Sequence, residues 1–214
     1  MITRLIADGP AGRAEAIAVL ESGGIVALPT DTVYGIAVRL STPGGIERLF
    51  AAKARPLERG IVLLLADAEQ AGTIGLMDRA AIALAEACWP GGLTLIVPQL
   101  AGVALPAVLT GGAPTIGLRV PDHPAPRALA TAVGPLPTTS ANRSGEADAQ
   151  SAADVVATLG EAVDLVLDGG PSAGGRPSTV VDLTGRVPRI VRAGAIGLER
   201  IREVLAGAGL QLDG

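Results

Sequence analysis

At 214 residues, 49% hydrophobic but only 1% aromatic, the chain is long enough for one good-sized domain with a core packed from small aliphatic side chains. A net charge of −4 at pH 7 and the scarcity of stacking side chains argue against a protein whose main business is gripping a nucleic-acid backbone, while leaving room for a local basic pocket. No run approaches the ~18 uncharged apolar residues of a membrane span, and MITRLIADGP lacks the apolar core of a signal peptide, so a cytoplasmic protein without membrane partners is expected.

Strand-like and helix-like runs alternate along the chain. Residues 12–22 (GRAEAIAVLES) read as a helix stopped by Gly23 and Gly24, and 24–28 (GIVAL) as a buried strand running into Pro29. Residues 33–40 (VYGIAVRL) read as a second strand, which makes PTDT the turn between the two. A helix opened by Pro43 follows, with Ile46, Leu49 and Phe50 on one face and Lys53 next on that face before Pro56 ends it. An ammonium at the end of a buried stripe needs a partner.

Residues 61–66 (IVLLLA) read as a fully buried strand, and Asp67 and Asp78 as N-caps of the helices that follow. The lone cysteine, Cys88, excludes an internal disulfide framework and reads as a packing residue. Residues 93–97 (LTLIV) and 115–120 (TIGLRV) are strands, and 123–133 is a helix with proline near its start and His123, the only histidine, as a capping residue. PTTSA is a short strand or strand end, and 151–159 is a capped helix. Strands near 164–168, 179–183 and 189–192 and a helix at 196–206 complete the chain. This order mixes βα alternation with adjacent strands, so the expected fold is α/β: a three-layer single domain over 1–214 with a twisted mixed β-sheet.

Four polar stretches interrupt this apolar background: PTDTVYG at 29–35, KAR at 53–55, TTSAN at 138–142 and RPST at 176–179. Hydroxyls, an amide and cations dominate them, and no His/Cys arrangement accompanies them. The chemistry they suit is holding anions, nucleotides foremost, rather than nucleophilic attack by a side chain. Neither G-x-x-x-x-G-K-[ST] nor G-x-G-x-x-G after a strand is present, which excludes a P-loop or a Rossmann crevice. GGPSAGGRPST at 169–179 reads as a mobile loop that delivers Arg176, Ser178 and Thr179 and closes over the site.

At these residues a resemblance becomes specific. PTDTVYG, Lys53-x-Arg55 followed by Pro56, WPGGLTLIVP at 89–98, TIGLRVPDHP at 115–124, PLPTTSANRSG at 135–145, and STVVDLTG followed by IVRAGAI resemble, in order and over about residues 10–200, the YrdC-type threonylcarbamoyl-adenylate synthases in their short single-domain form. The resemblance implies that L-threonine, bicarbonate or CO2 and ATP, with Mg2+, give threonylcarbamoyl-AMP and pyrophosphate. The product then passes to a tRNA threonylcarbamoyl transferase complex, with at most weak contact to tRNA itself.

The resemblance also distributes roles. It puts Lys53 and Arg55 in a catalytic cationic clamp, and Thr32, Leu64, Arg119, Thr139 and Ser178 around the threonine. Arg55, Arg59, Thr115, Ser140, the backbone at Ala141, Asn142 and Arg192 fall on the nucleotide side, and no protein ligand set for a metal is implied. Asp31 has two open readings, helping to position Mg2+ or bonding local N–H groups. Many relatives carry Asn-Pro where this chain has Arg59 and Gly60, and some carry a polar residue where it has Leu64. Two rival readings are a related carbamoyl-adenylate-forming domain and an RNA-binding or ribosome-assembly module.

Overall fold

A computed structural model describes residues 3–54 and 60–213. Its ten strands, in chain order, are β1 (Arg4–Ala7), β2 (Val26–Leu28), β3 (Gly35–Ala37), β4 (Val62–Leu64), β5 (Leu93–Pro98), β6 (Thr115–Arg119), β7 (Leu136–Ser140), β8 (Leu165–Asp168), β9 (Thr179–Asp182) and β10 (Arg189–Arg192). The helices are α1 (Pro10–Glu21), α2 (Gly45–Ala52), α3 (Ala68–Gly72), α4 (Arg79–Cys88), α5 (Ala107–Thr110), α6 (Pro124–Val133), α7 (Ala152–Leu159) and α8 (Leu198–Gly207). All the strands join one sheet in the order β1-β8-β2-β3-β7-β4-β6-β5-β9-β10. Parallel pairs (β1 with β8, β4 with β6, β5 with β9) mix with antiparallel ones (β2 with β3, β7 with β4, β5 with β6), as the interleaving of helical and direct connections requires.

Local chemistry starts the helices where the sequence places them. Asp67 accepts from Gln70 N at 3.0 Å and Asp78 from Ala81 N at 2.9 Å. Ser151 and Asp154 form a reciprocal capping box on α7, and His123 Nδ1 accepts from Ala125 N at 3.1 Å at the start of α6. Each cap satisfies an N–H that the helix cannot, worth about 1 kcal/mol.

Alternation along the strands divides the core between the two faces. On one face α1 and α6 lie together, and Ala16, Leu20, Ala125 and Leu129 pack on Val26, Leu28, Leu64 and Leu165. On the other, Phe50, Leu84 and Leu205 from α2, α4 and α8 share a larger cluster with Ile36, Leu63 and Leu95. Leu63 and Leu64 are neighbours in sequence and belong to different layers, the period-two signature of a strand covered on both sides.

Three local features depart from the sequence reading. The strand expected over 33–40 is confined to Gly35–Ala37, and its late start has a cause: the Thr30 hydroxyl captures the N–H groups of Thr32 and Val33 at 3.1 and 3.2 Å and curls the chain there. The strand Arg4–Ala7 and the short helix Ala107–Thr110 lack a sequence signal of their own. The first exists through its register with β8, Arg4 opposite Leu165 and Ala7 opposite Asp168. Among the described residues, no helix is long and apolar enough to cross a membrane.

Candidate active site

The helices that cover one face of the sheet stop short of its far half. There the residues that alternate with the core positions open into a cleft of about 600 Å³, lined by Thr94 and Ile96 from β5, Thr115, Gly117 and Arg119 from β6, and Val180 from β9. The PTDT turn contributes Thr30 and Thr32, β7 contributes Thr138, Thr139 and Ser140, and Leu64, Asp148, Ser178 and Arg192 complete the walls. Three of the four polar stretches therefore reach one place, PTDTVYG, TTSAN and RPST. Lys53, Ala141 and Asn142 stand behind the lining, while Arg55 and Arg59 lie outside the described residues.

Arg119 is the cation at the bottom of the cleft, only 6% exposed. Its Nε donates to Gly91 O at 3.0 Å, Nη1 to Thr32 Oγ1 at 2.9 Å and Nη2 to Asp31 Oδ1 at 2.6 Å. Burial lowers its pKa against the opposing pull of Asp31. A guanidinium carries five N–H donors, and these three bonds leave two for a ligand carboxylate. Asp31 also accepts from Asp122 N at 3.1 Å, so its carboxylate is engaged by neighbouring donors, as one of its two readings holds.

Proton accounting fixes the state of Thr32. The Thr30 hydroxyl donates its one hydrogen to Val33 O at 2.7 Å and accepts from Thr32 N and Val33 N, so it gives none to Thr32 Oγ1, 3.0 Å away. Thr32 Oγ1, which accepts from Arg119, keeps one lone pair for a ligand N–H. The glycine of the covering loop that meets this turn is Gly174, where a Cβ would come within 2.6 Å of Asp31 O.

Lys53 finds its partner. It is 2% exposed, and its ammonium donates to Ser140 O at 2.5 Å, Asn142 O at 2.5 Å and Asn142 Oδ1 at 2.8 Å, with Ser140 Oγ also in reach at 3.2 Å. In return Ser144 N donates to Lys53 O at 3.0 Å. The ammonium thus clips the loop after β7 in place, so Ser140 enters the cleft wall from a fixed backbone. Asn142 Nδ2 donates onward to Glu146 O at 2.7 Å.

On the opposite wall, Arg192 Nε donates to Ser178 O and Nη2 to Ser178 Oγ, both at 3.0 Å. Partial burial lowers its pKa, offset by Asp148. Ser178 Oγ lies 2.7 Å from Thr94 Oγ1. The segment 169–179 is tied down at several points: Tyr34 Oη donates to Gly170 O at 2.7 Å and accepts from Gly169 N at 3.1 Å, and Ser172 N donates to Gln150 O at 2.7 Å. Ser178 and Thr179 are buried by this arrangement, whereas Arg176 stays exposed.

Sequence reasoning did not single out Thr94, Thr30, Asp148 or Tyr34 as cleft residues. Thr94 had a signal: it is the one polar side chain in LTLIV, and a lone hydroxyl in a buried strand marks the face that meets something other than core.

The same fold and sequence pattern recur in known proteins. The Sua5_yciO_yrdC family model, described as "Telomere recombination", matches residues 18–194. Over 173 residues the chain is 42% identical to a threonylcarbamoyl-AMP synthase of Chromohalobacter salexigens, covering 79% of this chain and 91% of that protein. It is 34% identical over 194 residues to that of Bacillus subtilis, covering 90% of this chain and 56% of the longer protein. A crystal structure of Pyrococcus abyssi Sua5 complexed with L-threonine superposes with a TM-score of 0.89 at 31% identity, over 99% of this chain and 62% of that one.

Proposed function

The chain belongs to the Sua5/YciO/YrdC family, and from that premise we propose that it is a threonylcarbamoyl-AMP synthase, a nucleotidyltransferase that joins L-threonine, bicarbonate or CO2 and ATP. The observation that carries this reading is Arg119: a buried, partly neutralised guanidinium with two N–H groups left over, beside a Thr32 oxygen with one lone pair left over. An amino acid offers the matching carboxylate and amine. Leu64 and the hydroxyls of Thr139 and Ser178 border the space its side chain would occupy.

The chemistry needs little from a side-chain base. The uncharged amine adds to CO2 and releases a proton, giving a carbamate. A carbamate oxygen then attacks the α-phosphorus of ATP, and the bond to pyrophosphate breaks. Positioning and neutralisation of charge are what the protein must supply. Arg192, Thr115 and Ser140 face the nucleotide side, Arg55 and Arg59 join them on the strength of the family pattern, and Lys53 acts through the backbone it clips.

Among the described residues, no cluster of three or more His, Cys, Asp and Glu is arranged to hold a metal. Mg2+ would be carried on the triphosphate, with Asp148 the carboxylate that the cleft wall offers it. When bound, Mg2+ would offset phosphate charge. The product would pass to a transferase complex that modifies tRNA in the cytoplasm, with any tRNA contact weak. An RNA-binding module is the poorer reading, because the cleft wall is hydroxyl-rich with Tyr34 its one aromatic, and Tyr34 is wholly buried.

The test is incubation with ATP, Mg2+, bicarbonate and threonine, serine or valine in turn, following pyrophosphate and the adenylate by mass spectrometry. Threonine should be best. Serine forfeits one methyl burial, about 1 kcal/mol, and should be several-fold poorer in kcat/KM, while valine leaves hydroxyls unpaired and should be far worse. Valine turning over as well as serine would remove Thr139 and Ser178 from the amino-acid pocket.

A further inference from the structure

Thr94 is 1% exposed and sits on the cleft face of β5 between the core residues Leu93 and Leu95. Its hydroxyl oxygen lies 2.7 Å from that of Ser178, and Ser178 Oγ also accepts from Arg192 Nη2 at 3.0 Å. A buried threonine in a strand costs stability relative to valine unless its hydroxyl is used, and here its use is Ser178.

The hydrogens can be counted. Arg192 can only donate, so it consumes a lone pair of Ser178. The Thr94–Ser178 contact consumes one hydroxyl hydrogen, whichever of the two donates it. The pair therefore keeps one further hydroxyl hydrogen, and both residues line the cleft. The direction of that hydrogen depends on the Thr94 contact and on Arg192 together.

Arg192 and Ser178 are also joined through the backbone. Arg192 Nε holds Ser178 O, Ala195 N donates to Pro177 O at 2.9 Å, and Gly194 approaches so closely that a Cβ there would meet Pro177 O at 2.3 Å. The cation on the nucleotide side therefore touches, through two hydrogen bonds, the serine on the amino-acid side.

We propose that Thr94 is a positioning residue whose contact with Ser178 makes the Thr94–Ser178–Arg192 chain a coupling element between the two substrates. This rests on the synthase reading and adds to it. A triphosphate drawn to Arg192 fixes its guanidinium, which fixes the Ser178 oxygen, so the remaining hydroxyl hydrogen is already aimed when threonine arrives. The second ligand meets a site whose ordering cost has been met, which is positive cooperativity without a large movement. By linkage the effect is reciprocal.

The experiment is calorimetric titration of threonine into the wild type, Thr94→Val and Thr94→Ser, each with and without a saturating non-hydrolysable ATP analogue. In the wild type the analogue should tighten threonine by about 5-fold or more. In Thr94→Val that factor should fall towards one while the analogue's own affinity stays within about 2-fold, and Thr94→Ser, which keeps the hydroxyl, should restore it. Equal coupling in the wild type and Thr94→Val, or independent binding of both ligands to the wild type, would overturn the proposal and leave the synthase reading standing. Failure of the wild type to bind either ligand would overturn both.

Discussion

The two halves of one sheet face make an instructive contrast. Over β8, β2, β3 and β7 the face is capped by α1 and α6, and the side chains beneath are Val, Leu and Ala. Over β6, β5 and β9 no helix among the described residues covers it, and alternating positions there include Thr115, Arg119, Thr94 and Val180. The backbone ladder runs through both halves without interruption. Where helices supply apolar partners the sequence needs only bulk, and where they stop it must supply hydrogen-bond partners for every buried polar atom, which leaves a few of those atoms for a ligand.

The largest expected effect sharpens that contrast. Arg119→Ala removes the guanidinium that Asp31 and Thr32 accept from and should cost about 3 kcal/mol of stability, as removal of one member of a buried pair does. It should also weaken threonine binding by more than ~10-fold, the worth of a charge-assisted bond. Leu20→Ala under α1 should cost a similar ~3 kcal/mol with threonine affinity unchanged. Urea midpoints and calorimetry on both variants check this. A threonine affinity that survives in Arg119→Ala would break the assignment of the uncovered half as the site.

A middle-sized effect is expected at Lys53→Met. Methionine keeps the packing of the α2 stripe but leaves the carbonyls of Ser140 and Asn142 without their ammonium donor, so stability should fall by about 2 kcal/mol. Because Ser140 borders the cleft, KM for ATP should rise as well. Full stability with lost turnover would instead mark Lys53 as acting directly on substrate.

The smallest effect belongs to the covered half. His123 Nδ1 accepts the α6 cap bond, and burial lowers the imidazole pKa from its ordinary 6.5, with Asp8, Asp31 and Asp122 opposing and Arg13 assisting the shift. A lowered folded pKa means that the unfolded chain takes up the proton first. The contribution is therefore complete above the ordinary value and is lost as pH falls through 6.5 towards the folded pKa. With the ring only partly buried, solvent screening keeps the change below ~1 kcal/mol. Urea midpoints at pH 7.5 and 5.5 should show a drop that His123→Asn, which caps without titrating, removes.

What the sequence made legible follows the range of the forces involved. Asp67, Asp78, Ser151 and His123 act within three residues of themselves, and each appears as a cap where local pattern places it. The polar clusters were legible as one site because a chain this apolar has few other reasons to collect hydroxyls. Arg4–Ala7 was not, since its partner lies some 160 residues away, and no local period reports that. Nor was the late start of β3, which turns on one hydroxyl, that of Thr30, capturing two N–H groups.

The strand order has a consequence for how the chain assembles. The first strand pairs with β8, the eighth, and β5 receives β9. As the chain emerges from a ribosome, its amino-terminal strand must wait until about residue 168 is free before it has a neighbour to join. The wall of the cleft formed by Ser178 and Arg192 comes later still. Contacts so distant in sequence close slowly, because loop entropy is surrendered before the ladder compensates. Helix α1, which packs on α6 and β8, therefore waits with an exposed apolar face, and chaperone demand should fall on this nascent interval rather than on the finished protein.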